Sequence, residues 1–386
     1  MRESVVTYLF SLLRSALCGG RLTEQECNDY SEEYTESILK CAAAQDVDHL
    51  VALALKQNGL LGDRRGEIEK RIFKAVYRYE SLKYEYDSLC NALEGACIPF
   101  VPLKGAVIRR LYPEAWMRTS CDIDILVHRE DLDKAASLLR EQMKYSVGER
   151  DTHDISMFSP GGVHVELHFD LVEEGRANNA CSLLSDVWNH VSVCNGTAYR
   201  YEMSDAFFYF YHVAHMAKHF ENGGCGIRPF IDLWLLERME EGCEDARNAL
   251  LSRGGLLRFA EVSRKLSRVW FSGDHPDELS LQMQYYLLSG GIYGSVDNKV
   301  AVQQGKKGGK LSYIFSRMFA SYDMLKRYYP ILEKHRWLMP VCQVRRWFML
   351  FDPKVAKMAR QEVKASGSLE EAKAEDTSLF IKRVGL

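Results

Sequence analysis

The chain has 386 residues, of which 47% are hydrophobic and 27% are charged, and its formal net charge is −3. This length predicts two or three domains with a core of useful size. The slightly acidic balance argues against a protein that coats nucleic acid over its whole surface. The eleven cysteines follow no paired or zinc-binding spacing, which favours reduced thiols and a cytoplasmic location over a disulfide framework.

Residues 1–95 are predicted to form an N-terminal helical region. The apolar positions of Met1–Gly20 recur at helical spacing, so this segment is interpreted as the first helix of a globular domain and not as a targeting segment. Thr23 with Glu26 has the pattern of a capping box, and Arg64–Leu93 reads as one long helix. No stretch approaches the roughly 18 uncharged apolar residues that a membrane-spanning helix needs.

The composition changes at Ala96, and residues 96–203 are predicted to form an α/β core. Strands are expected at Asp122–Val127 and Val163–Phe169, where apolar and polar residues alternate. A helix is expected between them, at Arg129–Met143. The predicted fold class is α+β, with a mixed sheet and helices flanked by N-terminal and C-terminal helical domains.

Residues 204–352 are predicted to form a C-terminal helical domain, followed by a charged tail at 353–386. Its last two helices are expected at Ser312–Tyr328 and Val341–Phe351. The tail is expected to be a surface helix or partly disordered.

Basic and aromatic residues are concentrated near the end of this region. Ten lysines and arginines lie between Lys306 and Arg346, with aromatic residues interleaved. This pattern suits an anionic ligand such as an RNA backbone, a membrane surface, or a glycan or lipid carrier. It equally suits a solvated helical face whose aromatic residues lie in the core.

The pattern most informative about chemistry is Asp122-Ile123-Asp124. Side chains alternate across a strand, so the two carboxylates share one face while Ile123 and Ile125 share the other. Adjacent like charges repel, and a divalent cation removes that repulsion. Mg²⁺ prefers carboxylate oxygens completed by substrate phosphates, so the pair indicates metal-assisted phosphoryl or nucleotidyl transfer.

Other residues are expected to complete this site. Glu166 lies on an alternating strand and would supply a third carboxylate, either for a second metal or as a proton acceptor. His168 would orient Glu166. Lys104-Gly105 stands where a strand feeds a helix, a place that favours phosphate, and Lys104 or Arg118 would neutralise triphosphate charge.

Histidines recur at helical spacing further along the chain. His215 and His219 are four residues apart, as zinc ligands on a helix are, but the acidic residue of a metalloprotease motif is absent. Buried, hydrogen-bonded histidines are the alternative. We interpret His215, Lys218, His219 and Arg228 as cleft residues that contact nucleotide phosphate or acceptor, with Asp232 paired to one of these cations.

These motifs together resemble the uncharacterised nucleotidyltransferase family of the polymerase-β-like superfamily. The resemblance is carried by Lys104-Gly105, Arg118, Asp122-x-Asp124-x-Leu126-Val127 and Val165-Glu166-Leu167-His168, and extends through His212–Leu236. It covers roughly residues 90–270. The chain has Lys104-Gly105 where the wider superfamily has Gly-Gly or Gly-Ser, and its gap to Asp122 is longer.

The resemblance implies a nucleotidyltransferase fold, Mg²⁺, a nucleoside triphosphate donor such as ATP, and a metal pair at Asp122 and Asp124 with Glu166 as the third carboxylate. The predicted function is therefore transfer of a nucleoside monophosphate to a hydroxyl of an unidentified acceptor, which is a small molecule, glycan, peptide or protein. Two alternatives stay open: a phosphotransferase on the same fold, and a catalytically inactive nucleotide-binding or interaction module.

Overall fold

The computed structural model describes residues 3–172, 179–238, 243–369 and 371–386. Residues 173–178, in the predicted 96–203 core, and residues 239–242, in the predicted 204–352 domain, lie outside this description.

The first part of the chain is helical. Its helices are α1 Glu3–Cys18, α2 Glu24–Asp29, α3 Glu32–Ala44, α4 Asp48–Gln57 and α5 Arg65–Gly95. The capping box predicted at Thr23 is present, because its hydroxyl accepts from Glu26 N at 3.1 Å and Glu26 Oε2 accepts from Thr23 N at 2.8 Å. These bonds satisfy amide groups that a helix start leaves without intrahelical partners.

Helix α5 links two hydrophobic cores. Its buried residues Ile68, Ala75, Leu82 and Leu89 are seven apart and form one narrow stripe. Ile68 belongs to a core built largely from helices, whereas Leu82 and Leu89 belong to the core beneath the sheet. The long predicted helix is therefore present and spans both parts of the protein.

The middle of the chain forms a mixed five-stranded sheet with strand order β1-β2-β5-β4-β3. Only the β2–β5 pair is parallel. The elements are β1 Phe100–Pro102, α6 Gly105–Ile108, β2 Asp122–Val127, α7 Leu132–Glu141, β3 Ser146–Arg150, β4 Asp154–Phe158 and β5 His164–His168. The predicted α+β fold class is confirmed.

The sheet has one apolar and one polar face in its centre. Ile123, Ile125, Val165 and Leu167 are buried in the core shared with α5 and α7. The residues between them point the other way, since side chains alternate along a strand.

The rest of the chain is again mainly helical. Its elements are α8 Asn179–Leu184, β6 Val191–Val193, β7 Tyr201–Met203, α9 Asp205–Glu221, α10 Arg228–Leu236, α11 Glu244–Arg253, α12 Leu257–Phe271, α13 Glu278–Leu288, α14 Val296–Lys307, α15 Lys310–Met318, α16 Tyr322–Tyr328, α17 Met339–Phe348, α18 Pro353–Ser368 and α19 Glu371–Arg383. Side chains of α1, α4, α9, α10 and α12 share the larger core.

The prediction of one helix over Ser312–Tyr328 is wrong, because the chain forms α15 and α16 with a break between them. The side chain of Gln343 accepts from Ala320 N at 3.0 Å and donates to Met318 O at 2.8 Å. These bonds satisfy the backbone at the break, and Ser321 then caps α16.

The predicted charged tail is helical through α18 and α19. Ile381 and Val384 are buried in the larger core, so its last turns belong to the folded unit and not to the surface alone. Among the described residues, no helix combines the length and apolarity needed to cross a bilayer.

Candidate active site

Three carboxylates project from two neighbouring strands toward one cleft. Asp122 and Asp124 lie on β2 and Glu166 lies on β5, and the parallel register places Asp124 beside Glu166 and Asp122 beside His164. Asp124 is only 4% exposed, while Glu166 is partly open. The structure thus brings together the three acids that the sequence predicts, although their catalytic roles stay predictions.

Asp124 accepts two hydrogen bonds on one oxygen. Lys104 Nζ lies 2.7 Å from Asp124 Oδ1, and His168 Nε2 lies 3.0 Å from the same atom. Burial opposes ionisation of Asp124, but Lys104 and His168 outweigh burial and hold its pKa well below the usual value. Asp124 is therefore ionised at neutral pH.

His168 connects two of the acids. Its Nε2 also lies 3.3 Å from Glu166 Oε2. Burial alone would lower the pKa of His168, but its hydrogen bonds to Asp124 and Glu166 outweigh burial and raise it. The imidazole therefore orients both carboxylates, the role expected for a residue that supports a metal ligand.

Asp122 lies in a different electrostatic environment. Burial and the neighbouring charge of Asp124 raise its pKa, and Lys104 offsets this only in part. The acids thus outnumber the cations at this strand edge, and a bound cation would relieve the repulsion.

Lys104 occupies a strained turn that aims it at the acids. Its φ of 42° and ψ of −115° are those of the first central residue of a type II′ turn, which usually requires glycine. Ala106 N donates to Leu103 O at 3.2 Å across this turn, and Leu103 N donates to Asp124 O at 3.0 Å. Backbone strain at such a position is typical of functional sites.

The donor groups fit a divalent cation. Ligand atoms of Asp122, His164 and Glu166 lie within 4.8 Å of one another, as do those of Asp124, Glu166 and His168. Carboxylate oxygens are the ligands that Mg²⁺ and Mn²⁺ prefer. Asp122 and Glu166 share one of these groups and Asp124 and Glu166 share the other, so the structure brings the three predicted metal ligands near one another.

The acids line a cleft of about 370 Å³ between the sheet and the helices α9 and α10. Tyr211 and His215 of α9 and Arg228 of α10 form its opposite wall. The volume is in the range of pockets that take small ligands.

A family model described as "Uncharacterised nucleotidyltransferase" matches residues 31–272. This match covers more than half of the chain, including the whole sheet and both helices of the cleft. The chain belongs to this nucleotidyltransferase family. The resemblance inferred from the motifs is therefore confirmed. Neither the comparison with curated proteins nor that with solved structures gave a significant match.

In this nucleotidyltransferase-family chain, Arg118 forms a buried ion pair with Asp232, and both residues line the cleft. Arg118 Nη2 lies 2.8 Å from Asp232 Oδ2 and its Nε lies 3.3 Å from Asp232 Oδ1, while Tyr112 donates to the same Oδ1 at 2.7 Å. Burial opposes ionisation of Asp232, but Arg118 outweighs it and lowers the pKa. Asp232 is thus paired with Arg118, outside the set of cations expected for it, and a phosphate contact of Arg118 stays a prediction.

Arg228 is held by the turn between α3 and α4. Its Nη1 lies 2.9 Å from Asp46 Oδ2 and 3.1 Å from Thr119 O. These bonds fix the guanidinium on the wall of the cleft. Sequence reasoning missed Asp46, which is 182 residues away along the chain.

The histidines of α9 divide into two environments. His212 also lines the cleft, but its Nε2 lies 2.9 Å from Pro229 O. His215 and His219 lie on the cleft wall with their Nε2 atoms 3.2 Å apart. Burial and the nearby cation Lys104 hold the pKa of His215 well below the usual value, so it is neutral. Among the described residues, no group of three candidate metal ligands includes His215 or His219.

Tyr293 at the rim of the cleft was also missed by sequence reasoning. It lies 21 residues beyond the family match, and no motif marks it. Its turn is anchored because Ile292 N donates to Ala44 O at 3.1 Å and Gln45 Nε2 donates to Gly290 O at 2.7 Å. The ring is 72% exposed although its backbone is fixed.

Proposed function

We propose that the protein transfers a nucleoside monophosphate from a nucleoside triphosphate to a hydroxyl acceptor, with Mg²⁺ as the metal. The observation that carries this proposal is the placement of Asp122, Asp124 and Glu166 on adjacent strands facing one cleft, with Lys104 against them. Family membership supports nucleotidyl transfer as the general reaction class. The proposal assigns neither the acceptor nor the preferred nucleobase.

Each residue has a chemical task in this proposal. Asp122 and Asp124 bind the metal, which when bound would neutralise phosphate charge and polarise the reacting phosphorus. Lys104 adds positive charge beside the phosphates. The neutral imidazole of His215 and the guanidinium of Arg228 contribute hydrogen-bond donors from the opposite wall.

Glu166 is the residue suited to take the proton. The acceptor oxygen attacks the α-phosphorus, the bond from that phosphorus to the bridging oxygen breaks, and pyrophosphate leaves. Glu166, oriented by His168, accepts the proton of the attacking hydroxyl. Positioning of the reactants in a closed cleft supplies much of the rate acceleration.

Tyr293 is proposed as the platform for the nucleobase, since an exposed ring on an anchored turn stacks on a base at low entropic cost. Tyr293→Ala is expected to raise the KM for the nucleoside triphosphate about tenfold with little change in kcat, and Tyr293→Phe to restore it. Tyr285→Ala is the control, because Tyr285 is equally exposed but lies on α13 away from the cleft. An unchanged KM in Tyr293→Ala would remove this residue from the proposal.

The reaction is tested with α-phosphate-labelled nucleoside triphosphates, Mg²⁺ and an extract of candidate acceptors. Wild type is expected to form a labelled product and release pyrophosphate, whereas Asp122→Asn with Asp124→Asn is expected to do neither. Glu130→Gln is the matched control, because Glu130 is exposed beyond the end of β2. Transfer by the double variant at the wild-type rate would contradict the proposal.

Product mass separates the reaction from phosphoryl transfer on the same fold. An added nucleoside monophosphate supports nucleotidyl transfer, whereas an added phosphate alone overturns it.

A further inference from the structure

Exposed apolar side chains are concentrated in one short part of the molecule. Of the 26 large hydrophobic side chains that are exposed among the described residues, 14 lie between Leu311 and Phe351. Monomeric proteins rarely expose apolar groups in such density without a binding role.

Helix α15 presents an apolar stripe to solvent. Leu311, Ile314, Phe315 and Met318 follow the spacing of one helix face, and all four are exposed, Leu311 by 84%. The only buried side chain of this helix is Tyr313. The hydrophobic face of α15 therefore points away from the protein.

Helix α17 continues this surface. Val341, Val344 and Phe348 are exposed on it, while Cys342 and Gln343 face inward. The rings of Phe319 and Trp347 lie 5.7 Å apart, and Trp347 Nε1 donates to Met318 O at 2.9 Å. These contacts join α17 to the end of α15. We call the exposed apolar side chains of these two adjacent helices the apolar face.

Basic residues lie on both helices of the apolar face. Lys310 and Arg317 are on α15, and Arg345 and Arg346 are on α17. Arg317 is paired with Glu362 and Arg346 donates to Met318 O at 3.4 Å, so these two cations would share their charge between the protein and lipid phosphate. The whole segment Lys306–Arg346 has ten lysines and arginines in a chain whose net charge is −3. Amphipathic helices with aromatic and aliphatic residues on one side and basic residues around them lie in the interface of anionic membranes.

The composition of the apolar face distinguishes a membrane from other occupants. Leucine, isoleucine, valine and methionine do not stack on bases, so single-stranded RNA is a poor match. Two copies of the chain facing each other would bring like charges together, which disfavours self-association. No helix among the described residues spans a bilayer, so contact would be confined to the surface.

We propose that the apolar face, formed by α15 and α17, binds the surface of membranes that contain anionic lipids. Phe315, Phe348 and their aliphatic neighbours enter the acyl boundary, and the lysines and arginines of the two helices contact lipid phosphates. This binding is independent of the chemistry in the cleft.

The experiment is flotation of the full chain with vesicles of phosphatidylcholine alone and of equimolar phosphatidylcholine and phosphatidylglycerol. Wild type is expected to float with the anionic vesicles, with affinity falling as salt is added. Leu311→Ser with Phe315→Ser is expected to weaken binding about tenfold or more. Leu281→Ser with Tyr285→Ser removes two exposed apolar side chains from α13 and is expected to bind as wild type does.

The fluorescence of Trp347 provides a second measurement of binding, made on the wild-type protein. It is expected to shift to the blue on addition of anionic vesicles, and the shift is expected to be lost in Trp347→Phe. Wild type that does not float, equal binding to neutral vesicles, equal binding by the α15 variant, or an equal loss in the α13 control would each overturn the proposal. A lipid-free dimer that the α15 variant abolishes, without vesicle binding, would instead assign the apolar face to a second copy.

Discussion

The protein holds two cation–carboxylate pairs of nearly equal length whose surroundings differ. Lys104 and Asp124 are 2.7 Å apart, and Arg118 and Asp232 are 2.8 Å apart. Both oxygens of Asp232 are bonded and it has no exposed surface. Both pairs line the cleft, but Asp124 lies beside two further carboxylates, those of Asp122 and Glu166.

This difference separates a structural pair from a chemical one. The Arg118–Asp232 pair, in which both carboxylate oxygens are bonded, orders the elements around it. Beside the Lys104–Asp124 pair, further carboxylates leave excess negative charge, which favours a bound cation and the phosphates that accompany it. Substitutions in the first-named pair are therefore expected to affect mainly stability, and substitutions in the second mainly activity.

The largest effect on activity is expected from Asp124→Asn. The amide keeps the shape but loses the charge that the metal and Lys104 need, so transfer should fall by about a thousandfold or more. The free energy of unfolding should fall as well, because Asp124 is buried and its charge is bonded by Lys104 and His168. Initial rates and urea unfolding of the same preparation test this, and a folded variant with wild-type rates would contradict it.

The largest effect on stability is expected from Asp232→Ala. It leaves the guanidinium of Arg118 buried without its partner, which costs about 3–5 kcal/mol of unfolding free energy. Urea unfolding measures this loss. Asp170→Ala is the control, since Asp170 pairs with Arg129 at the surface, and there the cost should stay below about 1 kcal/mol. Equal losses at both positions would show that burial of the Arg118–Asp232 pair does not determine its contribution to stability.

Gly105→Ala probes the space between the two pairs. A Cβ atom at Gly105 would lie 2.8 Å from Arg118 Nη1 and 3.0 Å from Ser120 Oγ, so the Arg118 side chain must shift. A destabilisation of about 1–3 kcal/mol is expected from such crowding, measured as a lower melting temperature. Gly95→Ala is the matched control, since it has open space around its Cβ position, and a melting temperature as low as that of Gly105→Ala would rule out crowding.

The smallest expected effect is a dependence of stability on pH. Arg118 lowers the pKa of Asp232 in the folded state, whereas the unfolded value is about 3.9. The unfolded chain therefore binds the proton first as pH falls, and the contribution of Asp232 is complete above pH about 4 and lost below it. The stability difference between wild type and Asp232→Asn should accordingly shrink on acidification, and a difference that grows would contradict the assignment.

The alternation of side chains along a strand was sufficient to predict most of the acidic residues at this edge of the sheet. Alternation along β2 is sufficient to put Asp122 and Asp124 on one face, and the alternating strand at Glu166 makes it the natural third acid. The mixed sheet and the long helix α5 were likewise accessible, because periodicity reports which face of an element is buried.

The residues that were missed depend on contacts distant in sequence. Asp46 reaches Arg228, and the turn at Tyr293 is bound to the end of α3. The break after α15 is stabilised by Gln343 from another helix. Local periodicity contains no signal for such contacts, and the pairing of Arg118 with Asp232, 114 residues away, was missed for the same reason.

The central claim is that the acids of β2 bind a metal–nucleotide complex. The most direct measurement is a titration with Mn²⁺ in the presence of a non-hydrolysable nucleoside triphosphate, with binding detected by electron paramagnetic resonance. Wild type and Glu130→Gln are expected to bind the ion together with the nucleotide, and Asp122→Asn with Asp124→Asn is expected to lose this binding. Undiminished Mn²⁺ binding by the folded double variant would contradict the account.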